Sequence, residues 1–224
     1  MHTWRPEADN LLRGRPVQAR HGEARRLLHL LQLLVMFGIV YGLVMGSFGG
    51  VAGERLWQPI YSGLKVPLLL LVSFGISLPS FFVLNSLFGL RDDFAQVLHA
   101  LVAAQAGLTL VLAAVAPFTV VWYLSVGDYN MAILFNAGMF AVATLAGQWM
   151  LRRSYRPLIL RQPRHRLMLR AWLVIYAFVG IQMGWVLRPF IGSPDAPTRF
   201  FRSEAWGNAY VEVGQIVLRA FGGG

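Results

Sequence analysis

Residues Val97–Leu124, VLHALVAAQAGLTLVLAAVAPFTVVWYL, run for 28 positions without an Asp, Glu, Lys or Arg. A helix crosses a hydrocarbon core about 30 Å thick with roughly 20 apolar residues, so this stretch alone is long enough to span a bilayer. Four more stretches free of Asp, Glu and Lys flank it: Leu30–Phe48, Val66–Gly89, Met131–Leu151 and Ala171–Leu187. Helices of a soluble core keep one polar face, and a chain of 224 residues cannot hide five that do not. The expected fold is therefore all-α: a polytopic membrane protein with five transmembrane helices and a C-terminal interfacial segment. The divisions read as a basic cytoplasmic tail (1–26), a five-helix transmembrane domain (27–187) and an external segment (188–224).

Composition supports this class and excludes others. Hydrophobic residues make up 56% of the chain and charged residues only 13%, where a soluble domain carries about a quarter. The net charge of +10 does not imply a nucleic-acid partner, because the basic residues flank the spans and no nucleic-acid-binding motif accompanies them. With no cysteine, disulfides and thiolate sites are excluded. No small-residue cleavage site follows the first span, which reads as a retained helix.

The positions of the basic residues set the expected orientation. Six arginines precede the first span, Arg91 follows the second, and Arg152, Arg153, Arg156, Arg161, Arg164, Arg166 and Arg170 follow the fourth, 14 in all. The opposite side holds Arg55, Lys65, Arg188, Arg199, Arg202 and Arg219, a total of 6. The positive-inside rule then puts the N-terminus in the cytoplasm and the C-terminus in the periplasm, with the protein in a bacterial inner membrane. The basic flanks face anionic lipid headgroups. The segment Arg152–Arg170 reads as a loop against the cytoplasmic leaflet, Pro67 as a first-turn proline, and the second and third spans as an antiparallel hairpin.

Within the spans, Gly38, Gly42 and Gly46 stand four apart, and Ala103 and Gly107 repeat the spacing. Both patterns suit close helix packing. Every Asp and Glu falls in a tail or loop, which argues against a proton relay or pump. Gln32, Asn85, Gln105, Asn136, Gln148 and Gln182 enter the spans and are expected to bond between helices; a transporter would need Asn85, Gln105, Asn136 and Gln148 on one cavity. His29 and His99, near the same boundary, form a candidate haem or chlorin pair, although interfacial histidines are ordinarily structural, and no cofactor is expected.

The external segment carries the densest aromatic and arginine content: Arg188, Phe190, Arg199, Phe200, Phe201, Arg202, Trp206 and Tyr210. Trp, Tyr, Phe and Arg dominate interface hot spots, so these residues are the expected partner-binding set, with a membrane anchor belt the competing reading. Ser203–Phe221 reads as an interfacial helix or as including a short exterior strand around Tyr210–Val213. The expected function is a non-enzymatic scaffold or accessory subunit that contacts the lipid bilayer and other membrane protein subunits.

The run Gln182–Pro194, QMGWVLRPFIGSP, followed by Phe200-Phe201-Arg202, resembles uncharacterised bacterial polytopic proteins of Yip1-like type, sometimes labelled actin-binding WH2 domain-containing. That resemblance implies a five-span layout and a scaffold or trafficking role, and it supplies no catalytic residues.

Overall fold

A computed structural model describes residues 22–193 and 197–201 of the chain. All regular structure among them is helical: α1 (Glu23–Gly46), α2 (Trp57–Leu87), α3 (Phe94–Ser125), α4 (Tyr129–Arg161) and α5 (His165–Val186). Short 3₁₀ turns, Gly53–Leu56 and Arg91–Asp93, precede α2 and α3. All five helices are long and apolar enough to cross a membrane, and large apolar side chains such as Leu124, Leu145 and Val174 stand exposed around the bundle. In water such a surface would be an aggregation liability; against acyl chains it is matched. The chain is a multi-pass membrane protein.

Most helices extend beyond their apolar stretches. α2 starts at Trp57, which corrects the placing of Lys65 and Pro67: both lie in its third turn, and Lys65 is completely buried. α4 continues to Arg161 over 33 residues, roughly 50 Å. The expected cytoplasmic loop Arg152–Arg170 is therefore the end of α4, the short connection 162–164 and the start of α5. Tyr155 and Leu158, both fully buried, give this extension an inward face, so the helix persists where its outward face turns to arginine. The interfacial helix expected at Ser203–Phe221, with Arg202, Trp206 and Tyr210, lies outside the described residues.

α1 is the centre of the packing. It lies against both α2 and α3, while α5 packs on α2 and α4 on α3. α2 and α3 are consecutive and joined by a short turn, yet they barely touch each other. The expected hairpin between them is thus replaced by a three-helix arrangement with α1 in the middle. The glycine face of α1 is what permits this. A Cβ on Gly42 would overlap the Ser62 carbonyl and reach to 2.7 Å from the Gly63 Cα, and one on Gly46 would stand 2.7 Å from the Pro59 Cα. Backbone meets backbone there, and no side chain can yield. Gly38 is looser, 3.4 Å from Pro67. On α3, a Cβ at Gly107 would meet the flexible end of Met150 on α4, while Ala103 is half-buried beside the main apolar cluster.

A polar tie joins α1, α3 and α4 near one end of the bundle. The Tyr41 hydroxyl donates to Asn136 Oδ1 at 2.9 Å. Asn136 Nδ2 donates to the Tyr123 hydroxyl at 2.6 Å and to the Ala132 carbonyl at 2.8 Å. Tyr123 in turn donates to the Met45 carbonyl at 3.1 Å. Each member has a partner, the condition under which a buried polar network rigidifies a core. At the opposite, arginine-rich end, Phe81, Val97, Leu151, Tyr155 and Trp172 form a second apolar cluster.

Substitution Gly42→Leu is expected to cost about 1–3 kcal/mol, the usual penalty for overpacking, because α1 and α2 must separate. Gly75→Leu on α2, where an added Cβ meets nothing within 4 Å, serves as the control. Thermal unfolding in mild detergent should show a lowered midpoint for the first variant only; equal midpoints would mean that the α1–α2 approach does not set stability.

Candidate functional site

Where α5 ends, the chain does not leave the bundle. Pro189 removes an N–H and stops the helix, and residues 188–193 run back as a non-helical strap over the ends of the other helices. Such a strap is a difficulty in a membrane. Its carbonyl groups have no helical or sheet partners, and buried backbone oxygens left unpaired are expensive.

Side chains resolve it one carbonyl at a time. Lys65 Nζ donates to the Pro189 carbonyl at 2.6 Å. The Phe190 carbonyl accepts from the Ser62 hydroxyl and, at 3.2 Å, from Gln58 Nε2. The Tyr129 hydroxyl donates to the Ile191 carbonyl at 3.1 Å. Arg55 Nη2 reaches the Gly192 carbonyl at 3.4 Å, and its Nη1 reaches the Ser193 carbonyl at 3.3 Å. Five consecutive carbonyls are therefore held by donors from α2, the turn before it and the start of α4. Arg55 also donates to the Phe48 carbonyl at 3.0 Å, tying the end of α1 to the same point.

The strap's side chains complete the fit. Ile191 and Leu187 are buried, and Phe190 packs against the main apolar cluster. Gly192 lies so close to Gln58 that a Cβ would come within 2.7 Å of its side chain. Beyond the strap, residues 197–201 return to α2. Phe200 meets the Tyr61 ring edge-on at 5.3 Å between centroids, Phe201 meets Phe200 at 4.8 Å, and Trp57 stacks on Tyr61 at 6.1 Å. Lys65 Nζ lies 4.9 Å from the Phe200 ring, so the buried cation contacts both carbonyl dipole and aromatic face.

The expected partner-binding residues are accordingly divided. Arg188, half-buried, lies over the Trp185 ring at 3.1 Å, and with Phe190 and Phe200 it is engaged by the body of the protein. Arg199 and Phe201 are exposed. The residues that hold the strap, Arg55, Gln58, Ser62 and Lys65, were not among the expected set. Their signal was present: spacings of three, four and three place them on one helical face.

Among the described residues, two cavities bear on the spanning amides. An outer one of about 380 Å³ under the strap is bordered by Arg188, Tyr129 and Asn136. An inner one of about 310 Å³ at mid-height is bordered by Ser73, Gln105, Gln148 and Tyr176. Leu69 and Phe140 border both. Four of the spanning amides are thus distributed: Asn136 borders the outer cavity, Gln105 and Gln148 the inner, and Asn85 borders neither, its Nδ2 donating to the Phe81 carbonyl at 2.8 Å.

His29 and His99 border neither cavity, and the His99 Nδ1 lies 2.9 Å from the Ala95 carbonyl one turn back. The histidine that sequence reading passed over is His165. It is fully buried at the start of α5, with Nε2 3.0 Å from Asp93 Oδ2. That pair joins the α4–α5 turn to the α2–α3 turn, and Arg164 reinforces it by donating to the Phe88 carbonyl at 3.4 Å. Among the described residues no group of three or more His, Asp or Glu side chains is placed to hold a metal ion. Comparison of the chain with protein-family models, curated proteins and solved structures finds no match.

Replacing Lys65 with Met keeps the stem and removes the donor, leaving the Pro189 carbonyl buried without its partner. The expected loss is about 1–3 kcal/mol, together with faster amide hydrogen exchange at Phe190–Ser193. Unchanged exchange in Lys65→Met would show that the strap is held without this contact.

Proposed function

We propose that this protein is a non-enzymatic scaffold or accessory subunit of a larger assembly in a bacterial inner membrane, and that it docks a partner through the segment beyond its strap. The supporting observation is the capture of carbonyls 189–193. It turns the exit point of the last helix into a fixed mount, and pre-ordering a docking element lowers the entropy cost of binding. Phe201, Arg199 and Trp57 stand exposed beside that mount, an aromatic and arginine surface of the kind that anchors interfaces. The Yip1-like resemblance is part of this reading, since its motif residues include the strap.

The buried ionisable groups fit a structural role: Lys65 contacts the strap, and His165 contacts Asp93. The division of Asn136 from Gln105 and Gln148 between two cavities favours a scaffold over a transporter with one polar route.

The proposed orientation places the N-terminus in the cytoplasm and the C-terminus in the periplasm. Support comes from exposure as well as count. All seven arginines from Arg152 to Arg170 are exposed at one end, where they can meet anionic headgroups. At the strap end, Lys65 is buried, Arg55 and Arg188 are half-buried, and Arg199 is exposed.

Two measurements test this. A periplasm-active reporter fused at Gly224 should be active and a cytoplasm-active one silent; the reverse would overturn the orientation. Truncation after Ser193 keeps captured carbonyls 189–192 and leaves a terminal carboxylate at Ser193 for Arg55, so the five helices should still insert while co-purification of the partner is lost. Retention of the partner at full stoichiometry would place docking elsewhere, with the arginine-rich end of α4 the next candidate.

A further inference from the structure

The inner cavity has a composition that lipid packing alone does not explain. Its walls are mainly apolar, as in small-molecule sites, which pair such walls with a few converging polar groups. Gln105 and Ser73 are 7% and 1% exposed. Gln105 Oε1, Gln148 Oε1 and Ser73 Oγ are all buried without a hydrogen-bond partner. The Tyr176 hydroxyl hydrogen-bonds to the Gln105 side chain and, at 3.5 Å, to the Leu70 carbonyl, which leaves the Gln105 Oε1 without a partner. Polar groups in spanning helices ordinarily satisfy one another across helices. Here three oxygens, from Ser73 of α2, Gln105 of α3 and Gln148 of α4, border one space and lack a partner.

The packing supplies a route to that space. α1 bridges α2 and α3 on one side; α5 hangs on α2 and α4 on α3, with little contact between α4 and α5. A seam between α4 and α5 therefore faces the bilayer, with the cavity behind it. Gly180 and Ala177 of α5 border the cavity, and an added Cβ at Gly180 meets nothing within 4 Å.

We infer that this cavity is a binding site for a neutral, membrane-soluble alcohol: an apolar body carrying a hydroxyl that donates to Gln105 or Gln148 and accepts from Ser73. The class follows from the walls. The two amide oxygens call for a donor, which a carboxylate lacks, and neither Lys nor Arg borders the cavity to neutralise an anion. An alkane would leave all three oxygens unpaired. The ligand enters laterally from the bilayer, and the site is independent of the docking role proposed above.

The experiment uses the full chain in liposomes with diazirine-bearing dodecanol as probe, and the matching fatty acid and alkane as comparators. Crosslinked peptides are mapped by mass spectrometry. The alcohol should label α3, α4 and α5 around Gln105, Gln148 and Gly180 in preference to both comparators. Gly180→Phe, which fills the cavity, should abolish that labelling, while Gly138→Phe, at an exposed position on α4, leaves it intact. Gln105→Leu combined with Gln148→Leu should lower it about tenfold, as loss of a buried hydrogen bond implies. Equal labelling by alkane and alcohol, stronger labelling by the fatty acid, or labelling unaffected by Gly180→Phe would each overturn the inference. If the double glutamine variant does not fold, Gly180→Phe decides alone.

Discussion

A backbone carbonyl inside a bilayer must find a donor, and this fold is arranged around meeting that demand for five carbonyls in a row. Residues 189–193 leave helical geometry and lie buried or half-buried against the bundle. Lys65, Ser62, Gln58, Tyr129 and Arg55 each supply an N–H or O–H in place of the missing backbone partner. In a membrane protein, irregular backbone is tolerated where protein covers it or water reaches it, and here protein side chains supply the donors. The strap is accordingly an internal part of the bundle, and its rigidity derives from several donors acting on one short segment.

The rest of the architecture places those donors. Gly42 and Gly46 let α1 and α2 approach until their backbones touch, which fixes α2 and its polar stripe beside the strap. Arg55 closes the same region by binding Phe48 at the end of α1 as well as the strap. The Asn136 network holds the start of α4 against α1 and α3, and so positions Tyr129 one to two turns away. At the other end of the bundle, His165 and Asp93 fasten the two turns together. A partner docked on residues beyond Ser193 would therefore pull on a mount continuous with α1, α2 and α4.

Much of the fold was legible in the sequence. Long uncharged runs such as Val97–Leu124 leave no soluble alternative, and the four-residue glycine spacing marked the α1 face that α2 occupies. Helix ends were less legible, because span limits were drawn at the first charge. That rule excluded Lys65 from α2 and the Arg152–Arg161 turns from α4, whereas hydrogen bonding and burial of Tyr155, Leu158 and Lys65 decide where those helices stop. The site was half legible. The motif Arg188–Ser193 stood out, but its role as a strap depends on donors 62 to 138 residues away in the chain. Spacing alone marks Arg55, Gln58, Ser62 and Lys65 as one face without saying what that face meets. His165 was passed over because its partner Asp93 read as an ordinary turn residue.

Lys65 is the chain's only lysine, which makes the central claim directly measurable. Intact membranes are treated with an amine-reactive reagent, and modification at Lys65 is followed by peptide mass spectrometry against a detergent-denatured sample. If the ammonium is buried and committed to the Pro189 carbonyl, Lys65 stays unmodified in the membrane and reacts fully once the protein is denatured. Modification in the membrane at the rate of an exposed lysine would contradict the strap and the account built on it.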